Sequence, residues 1–131
     1  MTMSRFGWGA TAYAGLAGLI AVALDAWGAH GVEEAVRGWV VTASRQQMWH
    51  ALAILAAVGL HTHAVAGRRL FAVAIVAFGA GMPLFSGALV ALALGTHIPT
   101  APFGGTLFMI GWLALLAGAL TALFRQPPTR A

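Results

Sequence analysis

A chain of 131 residues in which 60% are hydrophobic and only 8% are charged has too few charges to cover a water-soluble domain of its size. The net charge is +4, but every basic residue is an arginine at the end of an apolar segment, which excludes the basic stripe of a nucleic-acid-binding protein. The lack of cysteine excludes disulfides, thiolate metal sites and iron–sulfur clusters. The composition therefore predicts an integral membrane protein in contact with the lipid bilayer.

Four apolar stretches are long enough for helices that cross a bilayer, which need roughly 20 residues each. They cover about residues 6–24, 48–66, 71–94 and 103–124. No Ser- or Gly-rich linker separates them, so residues 1–131 are interpreted as one all-α, integral membrane four-helix bundle. The first stretch exceeds a typical signal-peptide core and lacks a small-x-small site at its end, so we expect it to stay uncleaved.

The arginines are divided unevenly between the two sides of the predicted bundle. With four spans, both termini and the middle connection share one side, and the arginines on that side are Arg5, Arg68, Arg69, Arg125 and Arg130. The opposite side carries only Arg37 and Arg45. Because arginine-rich segments stay on the cytoplasmic side, both termini are predicted to lie inside.

Stripes of small residues predict how the spans pack, because lipid gives helices little hydrophobic reason to associate. The stripes are Gly79, Pro83, Gly87, Ala91 and Gly95 in the third span, Gly111, Ala114, Gly118 and Ala122 in the fourth, and Ala10, Ala14 and Gly18 in the first. The pattern leaves open whether they join helices of one chain or of two. Pro83 also lacks a backbone N–H, so we expect it to leave a carbonyl for Ser86 or a neighbour to satisfy.

The segment between the first two spans, residues 32–47, combines an acidic start with apolar residues at helical spacing. This pattern predicts a short amphipathic helix on the outer surface. Asp25 lies close enough to the membrane boundary to meet water or Arg45, and a structural pair is expected. Trp49 and Trp112 suit the depth of the membrane boundary.

Polar side chains at membrane depth gather in the outer half of the predicted bundle. An unpaired polar group costs several kcal/mol in hydrocarbon, so these side chains should face inward and contact one another. The candidate ligand-binding residues are His30, Gln47, His50, Ser86 and Thr100. We expect His50 to have a polar partner at about 3 Å on another helix, or a water between the two.

Five short motifs occur in order along the chain. They are Gly28-Ala29-His30-Gly31, Gln47-Met48-Trp49-His50-Ala51-Leu52, Leu84-Phe85-Ser86-Gly87, Thr100-Ala101-Pro102-Phe103-Gly104-Gly105 and Gly111-Trp112. Together they resemble the small four-helix proteins of domain-of-unknown-function family 423, over about residues 6–123. The chain differs in having Gln46 and Trp49 where tyrosine is expected, Asp25 where a small residue is usual, and a Thr-Pro pair separated by Ala101. The resemblance implies a multi-pass protein of the bacterial inner membrane and brings no assigned activity or cofactor.

No catalytic signature stands in the sequence: there is no paired-carboxylate site, phosphate loop, G-x-S-x-G or H-E-x-x-H. His61 and His63 are two apart on a helix, point to nearly opposite faces and are not predicted to bind metal together. The leading hypothesis is a non-enzymatic protein whose outward-facing polar pocket binds a lipid or small amphiphile, or an accessory subunit of a membrane complex. A haem- or metal-binding redox component using His30 and His50, a small oligomeric transporter, and a polar network with a purely structural role remain open.

Overall fold

The computed structural model describes residues 2–125 as four α-helices joined by short connections. They are α1 (Arg5–His30), α2 (Glu34–His63), α3 (Arg68–Ala93) and α4 (Ala101–Phe124). α2 packs against α1 and α3, and α3 packs in turn against α4, so α2 and α3 form the inner pair. The predicted all-α four-helix fold is confirmed. Arg130, one of the arginines used to assign the inner side, lies outside the described residues.

Three helices, α1, α3 and α4, are long and apolar enough to cross a membrane. α2 carries charged residues in its first half, yet it lies antiparallel to α1 along most of its length. Gly7 faces Val58 near one end of the pair, and Gly28 faces Val40 near the other. α2 therefore reaches the same depth as α1. We call the end of the bundle with the α1–α2 and α3–α4 connections the outer end, since the arginine distribution predicts that it lies outside.

The prediction of a separate surface helix over residues 32–47 is wrong. Instead, α2 begins at Glu34 and runs unbroken to His63, so the predicted span 48–66 covers only its second half. Burial explains the difference, because Val40, Ala43 and Ser44 pack among the helices and hold the first turns in line with the rest. The connection from α1 is reduced to residues 31–33.

Phenylalanine rings and glycines interlock where α3 meets α4. In antiparallel register, repeating every seven residues, the Phe71 ring packs on Gly118 and the Phe78 ring on Gly111, while the backbone nitrogen and Cβ of Phe85 face Gly104. Gly81 of α3 receives Phe108 of α4 in that same register. A methyl group on any of these four glycines would overlap the facing ring or backbone. Such close contact supplies the attraction that the hydrophobic effect cannot provide between helices in lipid.

The small-residue stripe predicted for the third span does not form a close helix–helix interface within this chain. Gly87 is exposed, a side chain there would meet nothing within 4 Å, and one at Gly79 would meet only Tyr13. The stripe of the fourth span is confirmed over its first three members, which are buried. The two stripes differ because the face that α3 presents to α4 is set by its phenylalanines, at a spacing of seven residues.

Small residues also hold α1 against α2. Four of the buried residues of α1 are spaced by seven: Gly7, Ala14, Ala21 and Gly28. Two buried serines add hydrogen bonds between helices. The Ser44 hydroxyl donates to the Ala21 carbonyl at 2.8 Å, and the Ser86 hydroxyl donates to the Ala43 carbonyl at 3.1 Å. These bonds link α1, α2 and α3 at neighbouring heights toward the outer end.

The inner connection, between α2 and α3, turns at Gly67. Its φ of 77° lies in the left-handed region, and a side chain there would also overlap the Gly118 carbonyl of α4, so glycine is favoured on both counts. Beside this turn, Nδ1 of His61 lies 2.9 Å from the Arg68 carbonyl, while His63 is exposed. The two histidines therefore have different surroundings, as their spacing predicts.

Candidate functional site

The five candidate residues lie in four separate places, and His50 is near the middle of α2. His30 is the last residue of α1 and is exposed. Thr100 precedes α4, and its hydroxyl donates to the Leu84 carbonyl of α3 at 2.9 Å, which closes the α3–α4 connection. Gln47 and Ser86 line one groove, whereas His50 is buried in an aromatic cluster. The structure therefore does not form a single pocket lined by all five residues.

His50 is enclosed by aromatic rings from α3 and α4. Its ring stacks on Phe108 with centroids 3.5 Å apart and planes 5° from parallel, and the Phe78 centroid lies 5.3 Å away. Nδ1 of His50 is 2.8 Å from the Gln46 carbonyl, and Trp112 Nε1 donates to Nε2 at 3.2 Å. Because a carbonyl only accepts, Nδ1 carries the hydrogen and Nε2 accepts, which describes a neutral imidazole.

Both nitrogens of His50 are thus engaged, so neither offers a free lone pair to a metal or a haem iron. Within residues 2–125, no three side chains of His, Asp or Glu are grouped as a metal site. The expected polar partner on another helix is confirmed, although it is Trp112 and not one of the other candidates. Trp112 was interpreted as a boundary residue, and its place in the fifth motif was the signal that could have identified it.

An open groove runs between α1 and α3, with a side chain of α2 at its floor. We call it the α1–α3 groove; its volume is about 300 Å³. Its lining is Tyr13, Leu16, Ala17, Ile20 and Leu24 of α1, Gln47 of α2, and Met82, Pro83, Ser86, Gly87 and Val90 of α3. Two members of the small-residue stripe of α3, Pro83 and Gly87, form part of the wall of this groove. Because Gly87 has no side chain, the groove stays open there.

Gln47 is the one polar side chain of the α1–α3 groove that is both buried and without a partner among the described residues. Only 8% of the Gln47 residue is exposed, but its amide atoms are reached from the groove, and no hydrogen bond joins them to residues 2–125. Ser86, which is 2% exposed, already donates to Ala43. An amide has two donors and an acceptor to satisfy, so Gln47 offers hydrogen bonds to whatever enters the groove.

Tyr13 marks the inner end of the same groove and completes the backbone of α3. Pro83 has no N–H to donate to the carbonyl four residues earlier, which belongs to Gly79. The Tyr13 hydroxyl takes that place and donates to the Gly79 carbonyl at 2.6 Å. The expectation that a neighbour satisfies this carbonyl is confirmed, and α3 continues through Pro83 without interruption.

Asp25 and Arg45 line a second cavity, between α1 and α2 at the outer end, with a volume of about 320 Å³. The predicted structural pair between them is wrong, since no nitrogen and oxygen of the two come within 4.0 Å. In the part of the chain that the structure describes, the only ion pair joins Arg37 to Glu34, at 2.9 Å. Asp25 and Arg45 are both exposed and face the same cavity without neutralising each other directly.

Comparisons with known proteins place this arrangement in a family. Residues 24–105 match the family described as protein of unknown function (DUF423). The chain is 38% identical over 120 residues to the UPF0382 inner membrane protein YgdD of Escherichia coli K12, covering 82% of this chain and 86% of that protein. It is 35% identical over 111 residues to a UPF0382 membrane protein of Haemophilus influenzae, with 79% and 87% covered.

No solved structure matches the chain. The relatives are named as membrane or inner membrane proteins, and the helices of the structure agree with a multi-pass protein of the inner membrane. The chain therefore belongs to the DUF423 family of membrane proteins.

Proposed function

We propose that the protein is a non-enzymatic membrane protein that holds the hydrocarbon chain of a lipid or similar amphiphile in the α1–α3 groove. The groove opens between two helices at membrane depth, where acyl chains are the surrounding solvent. Leu16, Ile20 and Val90 give it apolar walls, and Gly87 leaves room for a chain. A volume of about 300 Å³ falls at the lower end of the range of small-molecule sites, about 300–1,000 Å³.

The single observation that supports this proposal is the amide of Gln47, which is reached from the groove and has no hydrogen-bond partner among residues 2–125. An amide that meets only acyl chains and has no hydrogen-bond partner costs about 1–3 kcal/mol. A carbonyl, ester or hydroxyl group of a bound amphiphile would remove that cost. Acyl chains alone, entering the groove from the bilayer, would not remove that cost. The proposal therefore favours an amphiphile with a polar atom at the depth of Gln47 over pure hydrocarbon.

The other functional classes find less support in the same geometry. A haem- or metal-binding component would need His50, whose two nitrogens are already engaged by Gln46 and Trp112. A transporter would need polar groups along its whole path, but none of the buried polar side chains of the described residues lies near the inner end: they are Ser44, Gln47, His50 and Ser86. An enzyme would need a base beside Ser86, and Asp25 does not line the groove.

Native mass spectrometry of the detergent-purified protein tests the proposal. The wild type should retain a lipid or other amphiphile, and Gln47→Leu should lower retention about tenfold, the factor that corresponds to loss of a hydrogen bond of about 1.4 kcal/mol. Gln46→Leu is the matched control, since Gln46 precedes Gln47 and does not line the groove. A wild type with no retained lipid, or equal retention by Gln47→Leu and Gln46→Leu, would contradict the proposal.

A second pair of variants tests the groove itself. Gly87→Leu should fill it and displace the ligand, and the side chain has room, since nothing lies within 4 Å of the position of its Cβ. Gly15→Leu is the control, because Gly15 is also exposed in a helix without close neighbours and lies outside the groove. An accessory-subunit role, the second interpretation, would appear in the same spectra as a co-purified protein and not as a bound lipid.

A further inference from the structure

The cavity between α1 and α2 is separate from the α1–α3 groove, with which it shares no residue. We call it the α1–α2 cleft. Asp25 belongs to its α1 wall and Arg45 to its α2 wall. The rest of the lining is apolar, as at Val41 and Met48, except for Ser44, whose hydroxyl is bonded to Ala21. The cleft therefore presents one negative and one positive group with an apolar surface between and beside them.

The depth of this cleft matches the outer boundary of the membrane. With a rise of about 1.5 Å per residue, Asp25 lies about 30 Å from Arg5 along α1, close to the thickness of the hydrocarbon core. Arg45 lies somewhat deeper on α2, since its neighbour Ser44 is bonded to Ala21, and its long side chain can reach outward. Both charges thus belong to the level at which phospholipid headgroups begin.

Two opposite charges that line one cavity without pairing select a ligand that carries both signs. A phosphate is bound well by a guanidinium, which donates in a planar fork. An ammonium group with N–H donors is bound by a carboxylate, which only accepts. A purely anionic headgroup would satisfy Arg45 but would bring a like charge toward Asp25.

We propose that the α1–α2 cleft binds the headgroup of a zwitterionic phospholipid with a primary ammonium. The phosphate lies on Arg45, the ammonium lies on Asp25, and the acyl chains run inward past Met48 and the exposed ring of Trp49. This site selects by headgroup. The α1–α3 groove holds a hydrocarbon chain, so the two sites are lost independently.

Competition between two phospholipids with identical acyl chains tests this site. The purified protein is equilibrated with equal amounts of phosphatidylethanolamine and phosphatidylglycerol, and bound lipid is measured by native mass spectrometry. The wild type should retain about fivefold more phosphatidylethanolamine, the ratio expected for one exposed charge pair of about 1 kcal/mol. Asp25→Asn should bring the ratio to about one without reducing bound phosphatidylglycerol, and Arg45→Gln should lower the binding of both lipids.

Matched control variants remove one negative and one positive charge at other positions near the outer end. Glu33→Gln and Arg37→Gln lie outside the cleft and should leave the wild-type ratio unchanged. Gln47→Leu should leave it unchanged as well, so failure of this site and failure of the α1–α3 groove give different results. A wild-type ratio of one, or a ratio that survives Asp25→Asn, would overturn the proposal.

A soluble headgroup separates a lipid site from a site for small zwitterions. Glycerophosphoethanolamine, which has no acyl chains, should bind far more weakly than the whole lipid, because it lacks the chains that would pack on Met48 and Trp49. Equal retention of the soluble compound and the lipid would contradict the assignment to a phospholipid. Since Asp25→Asn removes an exposed charge, its melting temperature in detergent should match that of the wild type, which confirms that the variant is folded.

Discussion

Replacing Gly104 by alanine should separate α3 from α4 at the outer end. The new Cβ would lie 2.5 Å from the backbone nitrogen of Phe85 and 2.8 Å from the Gly81 carbonyl oxygen. Ordinary contacts between heavy atoms are about 3.5–4.0 Å, so the overlap is about 1 Å. Both facing atoms belong to the backbone and cannot rotate away. Overpacking of this kind costs about 1–3 kcal/mol, and alanine recovers at most about 1 kcal/mol through its higher helix propensity.

The free energy of unfolding should therefore fall by about 1–2 kcal/mol in Gly104→Ala, measured by unfolding with increasing sodium dodecyl sulfate in mixed micelles. Gly105→Ala is the matched control. Its Cβ would lie 3.8 Å from the Phe85 ring, an ordinary contact, so its stability should be unchanged or raised by up to about 1 kcal/mol. Equal stabilities of the two variants would refute the argument that backbone contact at Gly104 limits the approach of the helices.

Three further predictions follow from single contacts. Tyr13→Phe should lower the free energy of unfolding by about 1 kcal/mol because the Gly79 carbonyl loses its donor. The loss should be smaller in a Pro83→Ala background, where the backbone N–H returns; an equal loss in both backgrounds would contradict this role. Trp112→Phe should cost about 0.6–1.7 kcal/mol by the same assay, since Nε2 of His50 is left unpaired; an unchanged stability would contradict it. A reporter fused within the α1–α2 connection should be exposed outside, and one fused after α4 should stay inside; the reverse would overturn the arginine argument.

The sequence was sufficient to predict the number of helices, but it placed Gln47 and His50 at the outer end of the second helix, whereas both lie near the middle of α2. The length of each apolar stretch and the arginines at its ends can be read from that stretch alone, and the bilayer imposes both directly. The free carbonyl opposite Pro83 could also be predicted, because a missing N–H has a fixed consequence four residues earlier. The predicted donor, by contrast, was a choice between Ser86 and a neighbour, and only the packing of α1 on α3 identifies Tyr13.

Contacts between helices were harder to predict, for a physical reason. Helical spacing says which residues share one face of one helix, but not which face of another helix lies opposite. His50 was therefore grouped with Gln47 at a spacing of three, whereas it faces Phe108 and Trp112 of α4. The start of α2 was missed for a related reason: charges such as Arg45 lower the mean hydropathy of the segment, although only its buried face decides whether it packs.

The interlocking of α3 and α4 also bears on how each helix finds its correct partner after insertion. In lipid all apolar helices are equally soluble, so selection among them rests on shape. Two α3 helices aligned in the same register would set rings such as Phe78 where the glycines of α4 stand and could not approach closely. Two α4 helices would face each other with glycines such as Gly111 and leave unfilled space. The fit of phenylalanine rings on one helix to glycines on the other therefore favours α4 as the neighbour of α3 over a second copy of either helix. It also discriminates against mispairing while the bundle assembles.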